Sequence, residues 1–192
     1  MIKVLRALLL VFLWCIAPSW AFGQAAKDAG KQAPKEAPAP VGAAPERTTA
    51  SFGDWVLRCE MGGTPARRLC EVAELITLQG QTSPTAQLAL GKQGSHEGKW
   101  LTVVLASNIA ITTKPQALIA KAGAAPIELS WQRCLSGACF ASAPVSEETI
   151  GLLSAQSEPG RIVFKDAAER DVTLPLSFRG LAQALAALAK EP

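Results

Sequence analysis

The chain holds one histidine, no tyrosine and two methionines in 192 residues, and these shortages remove whole classes of chemistry. A nucleophilic triad needs a base beside its nucleophile. The sole histidine, His96, sits in a Gly/Ser-rich loop, and no Gly-x-Ser-x-Gly turn occurs anywhere in the chain. This argues against hydrolases of that type and leaves His96 as an ordinary solvated loop side chain. A phosphate loop, a dinucleotide fingerprint and a calcium loop are also missing. Excess charge is missing too. Six of the basic residues and three of the acidic ones fall within residues 1–50, so the whole formal +3 lies there and the remaining 13 bases and 13 acids balance. Without a basic patch interleaved with aromatics, no nucleic-acid partner is expected. Paired carboxylates occur only as Glu71 with Glu74 and Glu147 with Glu148, and both read as solvated faces.

What is present begins with a leader. Lys3 and Arg6 precede the apolar run Ala7–Ala17, and Pro18-Ser19-Trp20-Ala21 follows, the charged, apolar and small-residue order of a secretory signal peptide over residues 1–21. The apolar run is shorter than the ~20 residues a bilayer-spanning helix needs, which disfavours an uncleaved anchor. Bulky Leu13 and Trp14 before Cys15 disfavour a lipoprotein signal. Nothing later in the chain is long and apolar enough to span a membrane as a helix. Residues 22–50 are rich in Ala, Pro, Lys and Gln, with too few branched or aromatic side chains to offset the entropy of ordering. They read as a disordered linker between leader and domain.

Loss of the leader removes Cys15 and leaves Cys59, Cys70, Cys134 and Cys139. An even number of cysteines in an exported chain reads as disulfides. Of three possible pairings, Cys59 with Cys70 and Cys134 with Cys139 are favoured, because each closes a local turn between two strands. Zinc is disfavoured, since neither spacing is Cys-x-x-Cys and histidine is nearly absent, and no metal or cofactor is expected. A redox-active pair at Cys134 and Cys139 stands as the alternative, although reactive pairs are usually two residues apart at a helix start.

Residues 51–192 are long enough for one domain. Trp55, Leu57 and Cys59 alternate inward along a first strand, and Met61–Arg68 reads as a turn. Leu69–Leu78, interrupted by Glu71 and Glu74, fits a strand or a short helix. Thr85–Leu90 is a strand, and Trp100–Ala106, apolar on both faces, is expected at a sheet centre. Short strands are expected around 109–113 and 116–120. Ile127–Trp131, with Ile127, Leu129 and Trp131 inward, leads into Cys134 and the turn that returns Cys139. Ser146-Glu147-Glu148 opens a brief helix or turn. Residues 161–165 and 171–176 form a hairpin whose Pro175 marks an edge. Ser177 is expected to cap a final helix carrying Leu181, Leu185 and Leu188 at helical spacing. Trp55, Trp100, Trp131, Phe164 and Phe178 are expected in the core. The sum is an all-β fold, a single antiparallel β-sandwich or open barrel of about eight strands with a C-terminal α-helix, stapled by disulfides.

Four motifs then coincide in order: Phe52-Gly-Asp-Trp followed by Cys59; Cys70; Cys134-Leu-Ser-Gly-Ala-Cys139; and Leu174-Pro-Leu-Ser-Phe-Arg-Gly-Leu-x-x-Ala-Leu185. Together they resemble the invasion-associated locus B family over residues 51–189. That resemblance implies an exported, all-β, disulfide-containing protein of Gram-negative, mostly alphaproteobacterial, bacteria, from a family whose founding members are linked to host-cell entry. It carries over no catalytic residue. The expected function is therefore a periplasmic or cell-envelope binding or interaction module without enzymatic activity, whose partner is an unidentified envelope or host protein. An envelope redox protein using Cys134 and Cys139 and a carrier of small apolar ligands are the alternatives.

Overall fold

The structure, a computed structural model, describes residues 46–94, 96–120 and 123–192. The leader of residues 1–21, Cys15 and most of the Ala/Pro-rich stretch lie outside the described residues. Order begins earlier than composition implies: β1 (Arg47–Phe52) takes in four residues assigned above to the linker. Its residues are mostly exposed, so hydrophobic pattern could not mark it. It forms because its backbone groups pair along the whole length of β2 (Trp55–Gly62).

From β2 the chain runs antiparallel through β3 (Arg67–Ile76), β4 (Ala86–Gly91) and β5 (Lys99–Ala106). The turn after β2 is shorter than expected, because Met61, Gly62, Arg67 and Arg68 belong to the strands it joins. The inward face alternates cleanly: Leu57, Val72, Leu90 and Leu101 face one another across four strands, and Val103 and Leu105 continue the row. The helical alternative for Leu69–Leu78 fails because this stretch pairs residue by residue with β2 on one side and β4 on the other, and Val72, Glu74 and Ile76 alternate inward. β5 lies near the sheet's middle, but Trp100, Thr102 and Val104 are only half-buried, so its second face is not a core face.

The chain then leaves for a second sheet. Residues 109–113 give a lone bridge from Ile109 to Asp166 instead of a strand, and β6 (Gln116–Leu118) and β7 (Ile127–Glu128) form a short pair. The expected single strand Ile127–Trp131 is divided. Fully buried Leu129 donates its N–H to the Pro115 carbonyl at 2.8 Å, and β8 (Ser130–Leu135) re-enters the first sheet. A two-residue turn at Ser136 and Gly137 leads to β9 (Ala138–Val145), which closes against β5. After α1 (Glu147–Ser154), capped by the Ser146 hydroxyl, come β10 (Gly160–Lys165) and β11 (Asp171–Leu176), then α2 (Leu181–Leu188). Pro175 does sit on an edge strand, where its missing N–H costs no ladder bond.

The result is two open antiparallel sheets, seven strands in the order β1-β2-β3-β4-β5-β9-β8 and four in the order β11-β10-β6-β7. β11 lies over β3 and β7 over β9, so four strands cover only part of the larger sheet. The remainder is covered by α2, packed on β1, β2 and β3, with α1 against α2. Leu181, Phe178 and Leu153 there meet Trp55, Leu88 and Leu101. Burying each such Leu contributes roughly 1.5–3 kcal/mol. Space left among them is about 10 Å³, near the minimum for one water, so these side chains pack closely. Only Trp55 of the three domain tryptophans is fully buried. Trp131 is half-buried and donates its indole N–H to the Thr113 carbonyl at 2.9 Å, and half-buried Trp100 has the His96 ring 5.1 Å away on its surface side.

Candidate functional site

Two motif segments, 122 residues apart at Trp55 and Ser177, dovetail beside α2. The turn between β1 and β2 consists of Gly53 and Asp54, and Asp54 accepts from the Ser177 hydroxyl at 2.6 Å and from Arg179 Nε at 3.0 Å, with Arg179 Nη2 on its second oxygen. The backbone repeats the link, since the Asp54 N–H donates to the Arg179 carbonyl at 3.0 Å. Trp55 donates its indole N–H to the Ser177 carbonyl at 2.9 Å, and the Ser177 N–H is shared by both oxygens of Glu74 at 3.1 and 3.3 Å. Two glycines permit this approach. Gly53 has φ +60, and a Cβ there would stand 2.6 Å from the Arg179 carbonyl. Gly180 has φ +92, and a Cβ there would overlap the Phe52 carbonyl.

Ser177 is thus not the cap of α2. Gly180 holds that position without a side-chain bond, and the Ser177 hydroxyl is committed to Asp54. Electrostatics within the clasp run in opposite directions. The Arg179 guanidinium, aided by the Ser177 hydroxyl, holds the Asp54 carboxyl below its usual range. Burial pushes Glu74 up to about 7, against the lowering effect of the Ser177 N–H and with a further push from the Asp54 charge. Glu74 is therefore no solvated-face residue. Its partner in the expected pair, Glu71, lies on the other face and pairs with Arg58, and Glu147 pairs with Lys99 at 2.7 Å.

The disulfides join directly opposed residues: Cys59 with Cys70 across β2 and β3, and Cys134 with Cys139 across β8 and β9. Cys59 is buried in the core and Cys70 half-buried, while Cys134 is exposed and Cys139 buried. Ligand atoms of Cys59, Cys70 and Glu191 lie within 4.8 Å of one another, yet the two sulfurs are bonded together and are not thiolates, so this cluster does not suit a metal.

A cleft of about 690 Å³, within the usual size range of ligand sites, opens where β3, the loop between β4 and β5, and the end of α2 meet. Leu69, Cys70, Leu188 and Ala189 give it an apolar floor, and Arg67, Arg68, Lys92 and Lys99 stand around it with Glu97 and Glu191. Arg68 is anchored by Glu191 at 2.9 Å and by the Thr48 hydroxyl at 2.6 Å. Glu191 also lies 3.7 Å from the Cys70 sulfur, a contact only, because a disulfide sulfur has no proton to donate. Sequence reading missed this cleft entirely, since its walls come from three distant parts of the chain.

The sequence model of the invasion associated locus B (IalB) protein family matches residues 55–189. The chain belongs to that family. A crystal structure of invasion associated protein b from Bartonella henselae has a similar fold, with TM-score 0.60 and 15% identity over 74% of this chain and 95% of that one. No curated protein matches. Within this invasion-associated locus B domain, Phe52-Gly-Asp-Trp and Ser177-Phe-Arg-Gly are the two halves of one clasp, and the cysteine motifs are two pinned hairpins. Among the described residues no helix is long and apolar enough to cross a membrane.

Proposed function

We propose that this chain is an exported, non-catalytic binding module of the bacterial envelope that binds its partner at the cleft beside the Cys59–Cys70 hairpin. One observation carries the reading. The polar groups that the motifs bring together, Asp54, Glu74, Ser177 and Arg179, are satisfied by one another, so the clasp holds structure together, while the cleft keeps charged groups at its rim. Support for export comes from the leader order of residues 1–21, with cleavage after Ala21, and from disulfides that persist only in an oxidising compartment. Residues 22–46 then serve as a spacer. Host-cell entry or envelope adaptation is the biological setting, following the name of the family and of its solved member.

Photocrosslinking in intact cells tests this. A photoreactive residue at position 92 is expected to yield a discrete envelope adduct, and one at position 114, away from the cleft, none. Equal labelling from both positions, or turnover of a substrate by the pure protein, would overturn the reading.

A second reading, thiol–disulfide exchange at Cys134 and Cys139, has the exposure of Cys134 in its favour. It predicts a reduction potential within the range of known thiol–disulfide oxidoreductases, about −270 to −120 mV, whereas a structural staple predicts one below roughly −300 mV.

A further inference from the structure

The cleft's chemistry narrows what it takes. This inference rests on the binding-module reading and names the ligand class for the same site. Arg68 and Lys99 are held in place by Glu191 and Glu147, whereas Arg67 donates to the Gly94 carbonyl at 2.5 Å and Lys92 is exposed; neither pairs with a carboxylate among the described residues. A second hollow of about 420 Å³ shares Leu69, Cys70 and Lys92 with the first and adds Arg47 and Arg58, so cations continue around Lys92 in a domain whose overall charge balances. Arg47 and Arg58 are matched there by Glu60 and Glu71. In the cleft, Arg67 and Lys92 are thus the cations without a carboxylate partner, set beside the apolar floor of Leu69 and Leu188, and Glu97 is a lining carboxylate without a cation partner among the described residues, so the unpaired groups leave one net positive charge.

A free anion would use the cations and waste the floor, and a neutral lipid would use the floor and leave the cations unanswered. We infer that the cleft binds a phosphorylated amphiphile, with its phosphate between Arg67 and Lys92 and its apolar part over Leu69 and Leu188. Arginine offers a planar fork to phosphate oxygens, and lysine a point charge. Glu191, on the same wall, pairs with Arg68 and repels the phosphate, so its charge weakens binding.

The test is a titration of the full exported protein, isotope-labelled for NMR, with dihexanoyl phosphatidic acid below its micelle concentration. Dihexanoyl phosphatidylcholine and inorganic phosphate are run in parallel. Saturable shifts at residues 67–70, 92 and 188 are expected with phosphatidic acid, and at least tenfold weaker binding of the other two. Arg67→Glu combined with Lys92→Glu should weaken phosphatidic acid binding at least tenfold. Glu191→Gln should tighten it severalfold, and Lys114→Glu should leave it unchanged. Inorganic phosphate binding as tightly as the amphiphile overturns the role of the floor. An unaffected double variant, or shifts centred elsewhere, overturns the site. If position 92 still crosslinks to an envelope partner while no amphiphile binds, this inference falls and the binding-module reading stands.

Discussion

Glu74 occupies a core-facing position of β3, opposite Trp55, and burial holds its proton up to about pH 7. Because its folded pKa is raised above the unfolded 4.5, the folded state binds the proton more tightly. The resulting stability is complete below about 4.5 and is lost as pH rises through about 7. The gap corresponds to at most about 3 kcal/mol before solvent screening reduces it. Asp54 acts in the opposite sense: its lowered pKa contributes stability above the unfolded value that is lost as pH falls. Chemical denaturation between pH 5 and 8 should therefore show wild type weakening toward pH 8, with Glu74→Gln giving a flatter profile and greater stability at pH 8. A Glu74→Gln profile parallel to wild type would contradict this assignment. Asp54→Ala should cost about 1–2 kcal/mol, roughly 2–8 °C in Tm by calorimetry, because Ser177 and Arg179 lose their acceptor. Glu74 was half legible in the sequence. Val72, Glu74 and Ile76 share one parity, which places the carboxylate inward, but only the fold brings the Ser177 N–H across a gap of 103 residues to meet it.

Elements built on strict alternation or helical leucine spacing were readable: β2, β4, the hairpin of β10 and β11, and α2 all lie where the pattern puts them. Periodicity is blind to which sheet a strand joins, so Ile127–Trp131 looked continuous although the chain changes sheets at Leu129. It is equally blind to β1, whose exposed residues carry no apolar rhythm. Ser177 looked like a cap because composition shows a hydroxyl before a leucine run, and it cannot show that Gly180 must take φ +92 beneath Phe52. Gly180→Ala is accordingly expected to destabilise by more than about 1 kcal/mol, through both strain and overlap, and to increase hydrogen exchange in α2 more than in β4 and β5. The two staples should differ as well. They span sequence separations of 11 and 5, for which loop entropy gives about 2.8 and 2 kcal/mol. Replacing Cys59 and Cys70 by alanine also opens the core at Cys59, so it should lower Tm more than replacing Cys134 and Cys139. The reverse order would show that the exposed hairpin, not the buried one, limits unfolding.

At the scale of the molecule, seven strands are too many for a four-stranded partner sheet to cover, and the motif clasp fastens α2 over the part left open. The all-β architecture followed from many short alternating runs, and β1 and the divided Ile127–Trp131 stretch, which carry weak patterns, are two of the reasons that eleven strands among the described residues exceed the expected eight or so. The cleft was illegible for a different reason: residues 67–70, 91, 92, 94, 96–99, 188, 189 and 191 form no common motif and converge only when β3, β4, β5 and α2 pack. The proposed exported setting rests on the state of the domain's thiols, and that is directly measurable. Intact mass of the protein recovered from the cell envelope, with and without reductant, followed by peptide mapping, decides it. The account predicts a chain beginning at Phe22 that gains about 4 Da on reduction, two hydrogens per disulfide, with linked peptides pairing Cys59 to Cys70 and Cys134 to Cys139. A mass unchanged by reductant, or any other pairing, would contradict it.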